Sequence, residues 1–259
     1  MIDVILKDKN IVLTGGSSGI GYETLKILLN KGANVLAVSR TMESVDINHK
    51  NLIKRNIDVS KREDVKKLFI IAQDLFDSIN IFIANAGFGY YEEFINKEYS
   101  HIEKIFRTNA LSIFYMAERM KEINKEKSYN FVITASAVSF ISLPGYALYS
   151  GTKAAVRGFA DAYRFELNDN QHLQLIYPVA TKTNFFKVAG ADKMPWPRQT
   201  PKRVAKVLVK GIETNKKNIY PSKLFLLGKI FVPFAFEIYQ KLENKKFQNS
   251  FNRQDDSNE

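Results

Sequence analysis

Short apolar runs alternate with longer amphipathic stretches through most of this 259-residue chain. Strands separated by helices in this way form βαβ units with a parallel sheet, and right-handed crossovers place the helices on both faces. The predicted strands are Lys9–Leu13, Asn34–Val38, Asn51–Ile57, Ile79–Ala84, Tyr129–Thr134 and Leu173–Tyr177. The predicted helices are Ile20–Asn30, Arg62–Phe76, Ser100–Ile123 and Tyr149–Asn168. We predict one doubly wound α/β domain over residues 1–242, with a polar, disordered tail at 243–259.

Composition excludes several kinds of site. The chain has no cysteine, which rules out disulfides, a Cys-based zinc site and a Cys nucleophile. His49, His101 and His172 lie far apart and lack metal-ligand spacing, so we expect no metal site. The first ten residues contain no apolar run of the signal-peptide kind, and we expect a cytoplasmic location.

The formal net charge is +11. Residues 201–246 carry 11 Lys or Arg against 3 Glu, which is 11 − 3 = +8. No motif that reads nucleic acid is present, so we expect no nucleic-acid partner. The positive charge has two interpretations. It is either the ordinary surface charge of a soluble basic protein, or it attracts the protein to an anionic membrane.

A glycine-rich turn follows the first predicted strand. Gly15 permits the tight turn, Gly19 permits close approach of a pyrophosphate, and Gly21 lets the helix pack near the strand. The helix N-terminus then presents N–H groups to the phosphates. The candidate phosphate-binding residues are Gly15, Ser17, Ser18, Gly19, Ile20 and Gly21. A glycine-rich turn that closes an ordinary βα loop is the alternative.

The end of the second strand indicates which dinucleotide would bind. An NAD site needs a carboxylate here for the ribose 2′-hydroxyl, yet Ser39 and Arg40 end the strand and Glu43 lies beyond it. Ser39 can donate to a phosphate oxygen, and Arg40 offers a charged fork. We therefore predict NADP(H); a surface role for Arg40 is the alternative.

Tyr149 and Lys153 are four residues apart on a predicted helix and therefore share a face. A phenol with a pKa near 10 is a poor proton source at neutral pH until a nearby ammonium lowers that pKa. The pattern is common on helices by chance. Ser136 lies 13 residues before Tyr149, and Asn109 lies 27 residues before Ser136. Ser139 competes for the serine role with a spacing of ten.

The spacing T-G-x-x-x-G-x-G together with Asn109, Ser136, Tyr149 and Lys153 resembles the short-chain dehydrogenase/reductase family, over about residues 7–212. The resemblance implies a Rossmann-type fold and a catalytic tetrad. Tyr149 would be the general acid or base, and Ser136 would donate to the carbonyl oxygen. Lys153 would hold the nicotinamide ribose and tune Tyr149, and Asn109 would position a water. A homodimer through the helices after Ser100 and around Tyr149 is also implied.

Other segments are similar to the family's cofactor-binding motifs. Asp58 would reach the adenine amino group, although a helix N-cap by Ser60 explains this segment equally well. Ala84-Asn85-Ala86-Gly87 departs from the usual N-N-A-G by its first residue. Pro178 and Thr183 match, while Val179 replaces a glycine. The further cofactor-binding candidates are Asn85, Ala86, Gly87, Pro178, Ala180 and Thr183.

The C-terminal part departs from the family. We find no closing glycine-rich strand there, but an apolar segment at residues 219–242. Residues 223–241 would lie in a bilayer interface, cover the substrate pocket or contact a second subunit. Pro233 disfavours one straight helix. The stretch Lys187–Pro201, which contains Trp196, falls where relatives carry a substrate lid.

These features predict an NADP(H)-dependent oxidoreductase that interconverts a carbonyl and a secondary alcohol. The apolar lid and C-terminal segment favour a lipophilic ketone of long-chain, sphingoid or steroid-like type. A 3-oxoacyl-thioester reductase is one alternative, disfavoured by the lack of a closing strand. A non-catalytic NADP sensor or scaffold is another, disfavoured by the intact tetrad.

Overall fold

The structure, a computed structural model, describes residues 4–255, without the side chains of residues 229–237 and 249–255. The strands are β1 Asn10–Thr14, β2 Asn34–Ser39, β3 Leu52–Asn56, β4 Ile81–Ala84, β5 Tyr129–Thr134, β6 Gln171–Ile176, β7 Ala180–Thr181, β8 Arg198–Gln199 and β9 Asn218–Ile219. The helices are α1 Gly19–Asn30, α2 Arg62–Leu75, α3 Tyr99–Phe106, α4 Ser112–Asn124, α5 Ala147–Tyr163, α6 Phe185–Ala189, α7 Pro201–Glu213 and α8 Lys223–Asp255.

Seven parallel strands form one sheet in the order β3-β2-β1-β4-β5-β6-β9. The central strands are apolar on both sides because helices cover both faces. One face packs around Phe69, Phe82 and Phe131, and the other around Leu13 and Leu208. The predicted doubly wound α/β fold is confirmed.

Two predicted helices are interrupted. The stretch predicted as one helix over Ser100–Ile123 contains a π-helical turn at Arg107–Leu111 between α3 and α4. Single π-helical turns inside α-helices are frequent at functional sites. The helix predicted to reach Asn168 ends at Tyr163 and continues as a short 3-10 turn, Arg164–Glu166.

The expectation that no strand closes the sheet was wrong, because β9 pairs in parallel with β6. The strand is two residues long and has neither glycine nor an alternating pattern, so periodicity did not reveal it. Its Ile219 side chain packs where Gly211 leaves space.

The C-terminal segment also differs from expectation. Helix α8 continues through Pro233 and through the part of the predicted disordered tail up to Asp255. Phe247 gives this polar stretch an apolar anchor, since its ring lies 5.7 Å from that of Tyr91. The tail's last residues, 256–259, lie outside the described residues. Within residues 4–255, no helix is long and apolar enough to cross a bilayer.

Candidate active site

The carboxyl ends of β1, β2, β4, β5 and β6 meet at one edge of the sheet, where α/β proteins bind ligands. A cavity of about 780 Å³ lies along this edge. Its wall includes the predicted residues Gly15, Ser17, Ser18, Gly19, Ile20, Ser39, Arg40, Asp58, Asn85, Ala86, Gly87, Ser136, Tyr149, Lys153, Pro178, Ala180 and Thr183. Gly21 and Asn109 lie behind this wall rather than on it.

The glycine turn after β1 has a backbone that only glycine tolerates well. Gly15 and Gly19 have φ angles of +70° and +57°. A Cβ on Gly21 would lie 2.0 Å from the Gly15 carbonyl oxygen. The first turn of α1 has no side-chain cap and no acidic residue, which leaves its N–H groups for an anion. This geometry fits the pyrophosphate of a dinucleotide.

Asn85 holds the glycine turn to the neighbouring strands. Its Nδ2 donates to the carbonyl oxygens of Thr14 at 3.2 Å and Gly15 at 3.3 Å. Its Oδ1 accepts from the Thr134 hydroxyl at 3.1 Å. The Thr14 hydroxyl in turn accepts from the backbone N–H groups of Asn85 and Ala86, each at 3.0 Å. The Asn85 side chain therefore fixes the loops around the cavity.

The end of β2 presents a positive charge to the cavity. Arg40 is exposed and has no ion-pair partner among the described residues. The nearest carboxylate along the chain, Glu43, instead accepts from Asn56 Nδ2 at 2.9 Å. Ser39 Oγ accepts from the Thr41 N–H at 3.2 Å. The strand end can therefore receive an anionic group.

Asp58 lies on the cavity wall but is already engaged locally. Its Oδ1 accepts from the N–H and the hydroxyl of Ser60, at 3.0 and 2.8 Å. The Asp58 N–H donates to Asp64 Oδ2 at 3.0 Å. Ser60 is not the N-cap of α2, since that position is Lys61. Asp58 thus shapes the turn between β3 and α2.

Ser136, Tyr149 and Lys153 come together on the cavity wall. Ser136 follows β5, and Tyr149 and Lys153 lie one turn apart on α5. Lys153 Nζ is 5.8 Å from the centre of the Tyr149 ring and donates to the Thr134 carbonyl oxygen at 2.7 Å. Ser139, the competing serine, is buried outside this wall.

Burial dominates the electrostatics of this cluster. It raises the pKa of Tyr149 to about 12, while a side-chain hydrogen bond with Ser136 acts in the opposite direction. Burial lowers the pKa of Lys153 to about 8. The expected lowering of the Tyr149 pKa by Lys153 is absent in the chain by itself. Desolvation is the main influence on both pKa values, and the Lys153 ammonium donates to the Thr134 carbonyl oxygen.

Asn109 lies in the π-helical turn and is fully buried. Its Nδ2 donates to the Phe88 carbonyl oxygen at 2.7 Å and to Thr152 Oγ1 at 3.2 Å. Its Oδ1 accepts from the Phe88 N–H at 3.1 Å. The side chain therefore joins the loop after β4 to α5.

The other end of the cavity is apolar. The Phe185 ring lies 5.1 Å from that of Tyr149 in a tilted arrangement, and Trp196 lines the wall from the predicted lid. Helix α8 completes this end with Leu224, Phe225, Gly228 and Tyr239. The Tyr239 hydroxyl donates to the Trp196 carbonyl oxygen at 2.9 Å, which ties α8 to the lid.

Within the described residues, no cluster of His, Asp and Glu could hold a metal ion. His101 stacks on Tyr90 and lies 2.9 Å from Glu92 Oε1, which gives it a structural setting. His49 Nδ1 accepts from the Asn51 N–H at 3.1 Å.

Residues 9–194 match the family model described as short chain dehydrogenase. The match covers well over half of the chain, and the protein therefore belongs to this family of oxidoreductases. Two bacterial members of known structure share the fold. One, from Burkholderia phymatum in complex with NAD, has a TM-score of 0.79, 17% identity, and covers 92% of this chain and 97% of its own. Another, from Burkholderia cenocepacia in complex with NADP, has a TM-score of 0.78, 18% identity, and covers 91% and 97%.

Several curated proteins are also similar. A probable short-chain type dehydrogenase/reductase of Helicobacter pylori is 31% identical over 69% of this chain and 67% of its own length. An uncharacterized oxidoreductase of Schizosaccharomyces pombe is 26% identical over 74% of this chain, and the match spans 65% of that relative. The 3-ketodihydrosphingosine reductase of Dictyostelium discoideum is 26% identical over 92% of this chain and 83% of its own length.

Sequence reasoning missed three groups that organise the site. The hydroxyl of Thr14, the carbonyl of Thr134 and the hydroxyl of Thr152 hold Asn85, Lys153 and Asn109. Thr14 precedes Gly15 directly, and Thr152 precedes Lys153, so both lay inside motifs already examined. Tyr239 had no signal, because only the fold brings α8 to the lid.

Proposed function

We propose that this protein is an NADP(H)-dependent oxidoreductase that interconverts a carbonyl group and a secondary alcohol, and that it reduces a lipophilic ketone of long-chain, sphingoid or steroid-like type. The observation that carries the proposal is one continuous cavity. Ser136, Tyr149 and Lys153 lie between a polar end, which carries the glycine turn and Arg40, and an apolar end.

Tyr149 and Ser136 perform the proton chemistry. With its pKa raised to about 12, Tyr149 is protonated at neutral pH and holds the proton that a reduced carbonyl oxygen needs. Ser136 donates a hydrogen bond to that oxygen as negative charge builds on it. In the oxidation direction, Tyr149 accepts the alcohol proton.

Lys153 holds the ribose and supplies charge beside the phenol. Its pKa of about 8 keeps it protonated at neutral pH, within reach of Tyr149. The nicotinamide dinucleotide, when bound, supplies or takes the hydride. Asn109 lies behind the cavity wall. Its hydrogen bonds to Phe88 and Thr152 hold the loop after β4 and helix α5 in fixed positions.

The cofactor preference rests on the end of β2. Arg40 lines the cavity without an ion-pair partner in the described chain, and Glu43 is turned towards Asn56. A 2′-phosphate would pair with Arg40, whereas a 2′-hydroxyl would find no carboxylate at the strand end to accept its hydrogen bond. Relatives of known structure bind NAD or NADP, so the local charge is the argument for NADP(H).

The proposal of a lipophilic substrate is based on the apolar end of the cavity. Its wall combines Phe185, Phe186 and Val188 with Trp196 of the lid and Phe225 of α8. The 3-ketodihydrosphingosine reductase of Dictyostelium is one relative whose name gives a long-chain ketone substrate.

A membrane surface and a second copy of the chain are the proposed partners. Leu224, Leu227, Ile238 and Leu242 are exposed along one side of α8, which suits an interfacial helix at the bilayer. For the homodimer, α3 presents the exposed Tyr99, and the π-helical turn presents Leu111. We propose that the protein is located in the cytoplasm and makes peripheral contact with a membrane.

Reduction of a 3-oxoacyl thioester is the second candidate. The argument against it from a missing closing strand no longer holds, because β9 completes the sheet. The apolar end, where Phe185, Phe186 and Trp196 line the wall, favours the lipophilic ketone.

The test is consumption of NADPH with a panel of 3-ketosphingoid bases, steroids, 3-oxoacyl thioesters and small aldehydes, repeated with NADH. We expect turnover with the long-chain or steroid ketones and a strong preference for NADPH. Turnover confined to thioesters would replace the substrate class. Tight NADPH binding without turnover on any member would support the sensor or scaffold instead.

A further inference from the structure

Gly228 stands at a position where the substrate cavity reaches the outside. It lines the cavity, yet it is solvent-exposed. A Cβ built on Gly228 meets no described atom within 4 Å. As far as the side chains of α8 are described, the wall is therefore open at this point, next to the buried Phe225 and the exposed Leu224.

A glycine here is not explained by helix formation. Glycine inside a helix costs about 1 kcal/mol relative to alanine. Gly211 in α7 has a packing reason, since a Cβ there would lie 2.4 Å from Ile219 Cδ1. Gly228 has no such neighbour in the described chain, so the absence of a side chain keeps space free rather than permitting a close contact.

The surface outside this opening is apolar. Leu224 and Leu227 are 51% and 64% exposed on α8, and Trp196 of the lid is 63% exposed. A hydrocarbon chain that leaves the cavity at Gly228 would lie against these side chains rather than in water. The cavity itself is of the size that takes one drug-sized ligand, roughly 300–1,000 Å³. A dinucleotide would occupy the polar end, which leaves the apolar end for the ketone and its hydrocarbon tail.

We propose that Gly228 is a port through which the apolar tail of a long-chain substrate leaves the cavity, so that this residue sets the upper limit of substrate chain length. The inference rests on the proposed function as a reductase of lipophilic ketones. It makes Gly228 a specificity-determining residue, separate from the group that performs the proton transfer.

The test compares Gly228→Leu with Leu227→Phe. The first fills the port, and the second adds bulk one residue earlier, outside the cavity wall. Gly228→Ala is a milder form that leaves part of the space. The chain's one tryptophan, Trp196, lies on the cavity wall and reports ligand binding by its fluorescence. The NADP-loaded protein is titrated with hexadecanone and with butanone, and the turnover of both is measured.

We expect Gly228→Leu to weaken hexadecanone binding and kcat/KM about tenfold or more, while butanone is unaffected. Leu227→Phe should match the wild type, and Gly228→Ala should lie between. If Gly228→Leu lowered kcat/KM equally for both ketones, or for neither, the proposed port would be wrong. It would also be wrong if hexadecanone did not change the Trp196 fluorescence of the wild-type protein. Wild-type binding of hexadecanone without turnover of any ketone would reject the proposed reaction while leaving the port to be judged on binding.

Discussion

At the scale of single residues, burial shifts the pKa values of Tyr149 and Lys153 in opposite directions. The phenol becomes harder to ionise and the ammonium easier to neutralise. Ser136 is the one described group whose hydrogen bond favours the phenolate. The pair is therefore set to keep a proton on Tyr149 until charge develops beside it, which suits a general acid in carbonyl reduction.

Replacing Tyr149 by phenylalanine should lower kcat by about 10²- to 10⁴-fold, because the proton donor is lost while the ring still packs. The affinity for NADPH, measured by fluorescence titration, should be unchanged. Tyr146→Phe is the matched control. Its hydroxyl is buried without a hydrogen-bond partner in the described chain, although the ring lines the same cavity. Equal activity of Tyr149→Phe and wild type would remove Tyr149 from the reaction.

Arg40→Ala should raise KM for NADPH by about tenfold to a hundredfold, because a charged hydrogen bond to the 2′-phosphate is lost. KM for NADH should change little. Arg55→Ala is the control, because Arg55 is exposed at the end of β3 and outside the cavity wall. A parallel rise for both cofactors would mean that Arg40 does not read the 2′-phosphate.

The pH dependence of stability should reveal the buried Lys153. A folded-state pKa of about 8 lies below the unfolded value of about 10.4, so the unfolded chain binds more protons between these values. Stability therefore rises with pH across this window. We expect the wild type to gain about 3 kcal/mol relative to Lys153→Met between pH 7 and pH 11. Urea unfolding of both proteins at several pH values measures this, and a flat difference would contradict the burial.

At the scale of secondary-structure elements, the connection from β1 to α1 depends on close approach. The Gly15 carbonyl oxygen lies where a Cβ of residue 21 would project, so the first turn of α1 packs directly on the glycine turn. This contact brings the helix N-terminus to the edge of the sheet where the cavity lies. Two glycines with positive φ give the turn the shape that the contact needs.

Gly21→Ala should therefore destabilise the fold by about 2 kcal/mol or more and weaken NADPH binding, because backbone has to move. Gly158→Ala provides the contrast. Gly158 is also helical, but a Cβ there meets no described atom within 4 Å. That change should raise the free energy of unfolding by up to about 1 kcal/mol. Thermal and urea unfolding distinguish the two, and a neutral Gly21→Ala would contradict the close packing.

Helix α8 contacts several segments around the cavity. Tyr239 holds the lid through the Trp196 carbonyl, and Gln240 Nε2 donates to the Ser142 carbonyl oxygen at 3.0 Å. Phe247 packs against Tyr91. One helix thus touches the lid, the loop before α5 and the loop after β4, and these segments surround Tyr149. Leu224, Phe225, Gly228 and Tyr239 of this helix line the cavity, and Leu227, Ile238 and Leu242 are exposed.

At the scale of the whole molecule, basic charge and exposed apolar side chains lie on the same part of the chain. Residues 201–246 carry a formal charge of +8, from 11 Lys and Arg and 3 Glu. The exposed Leu227, Ile238 and Leu242 follow α8, with the exposed Lys223 and Lys245 near them. This combination favours an anionic bilayer surface, and attraction to it weakens as salt screens the charges.

The double variant Lys223→Glu/Lys245→Glu should lower binding to phosphatidylserine vesicles by at least about tenfold, with a weaker dependence on salt. Lys202→Glu/Lys206→Glu changes the net charge equally on α7, where both lysines are exposed, and serves as the control. Vesicle sedimentation measures both. Equal losses would indicate general charge attraction rather than contact through α8, and binding only at high protein concentration would favour a second copy of the chain.

The alternation of apolar runs and amphipathic stretches determined the doubly wound fold, because β-strand and helix periodicities are local properties of the sequence. The motifs around Gly15, Ser136 and Tyr149 likewise indicated the family and the site, since short spacings fix which side chains share a turn or a helix face.

Only the tertiary structure decided the remainder. The two-residue strand β9 exists because β6 offers a free edge, and nothing in its own sequence demands it. The pKa values of Tyr149 and Lys153 depend on burial by distant segments, and spacing along a helix does not measure desolvation. Helix α8 reaches Trp196 and Tyr91 through contacts between residues far apart in the chain. Such long-range packing depends on the whole fold, whereas the local pattern records only which side of each element is apolar.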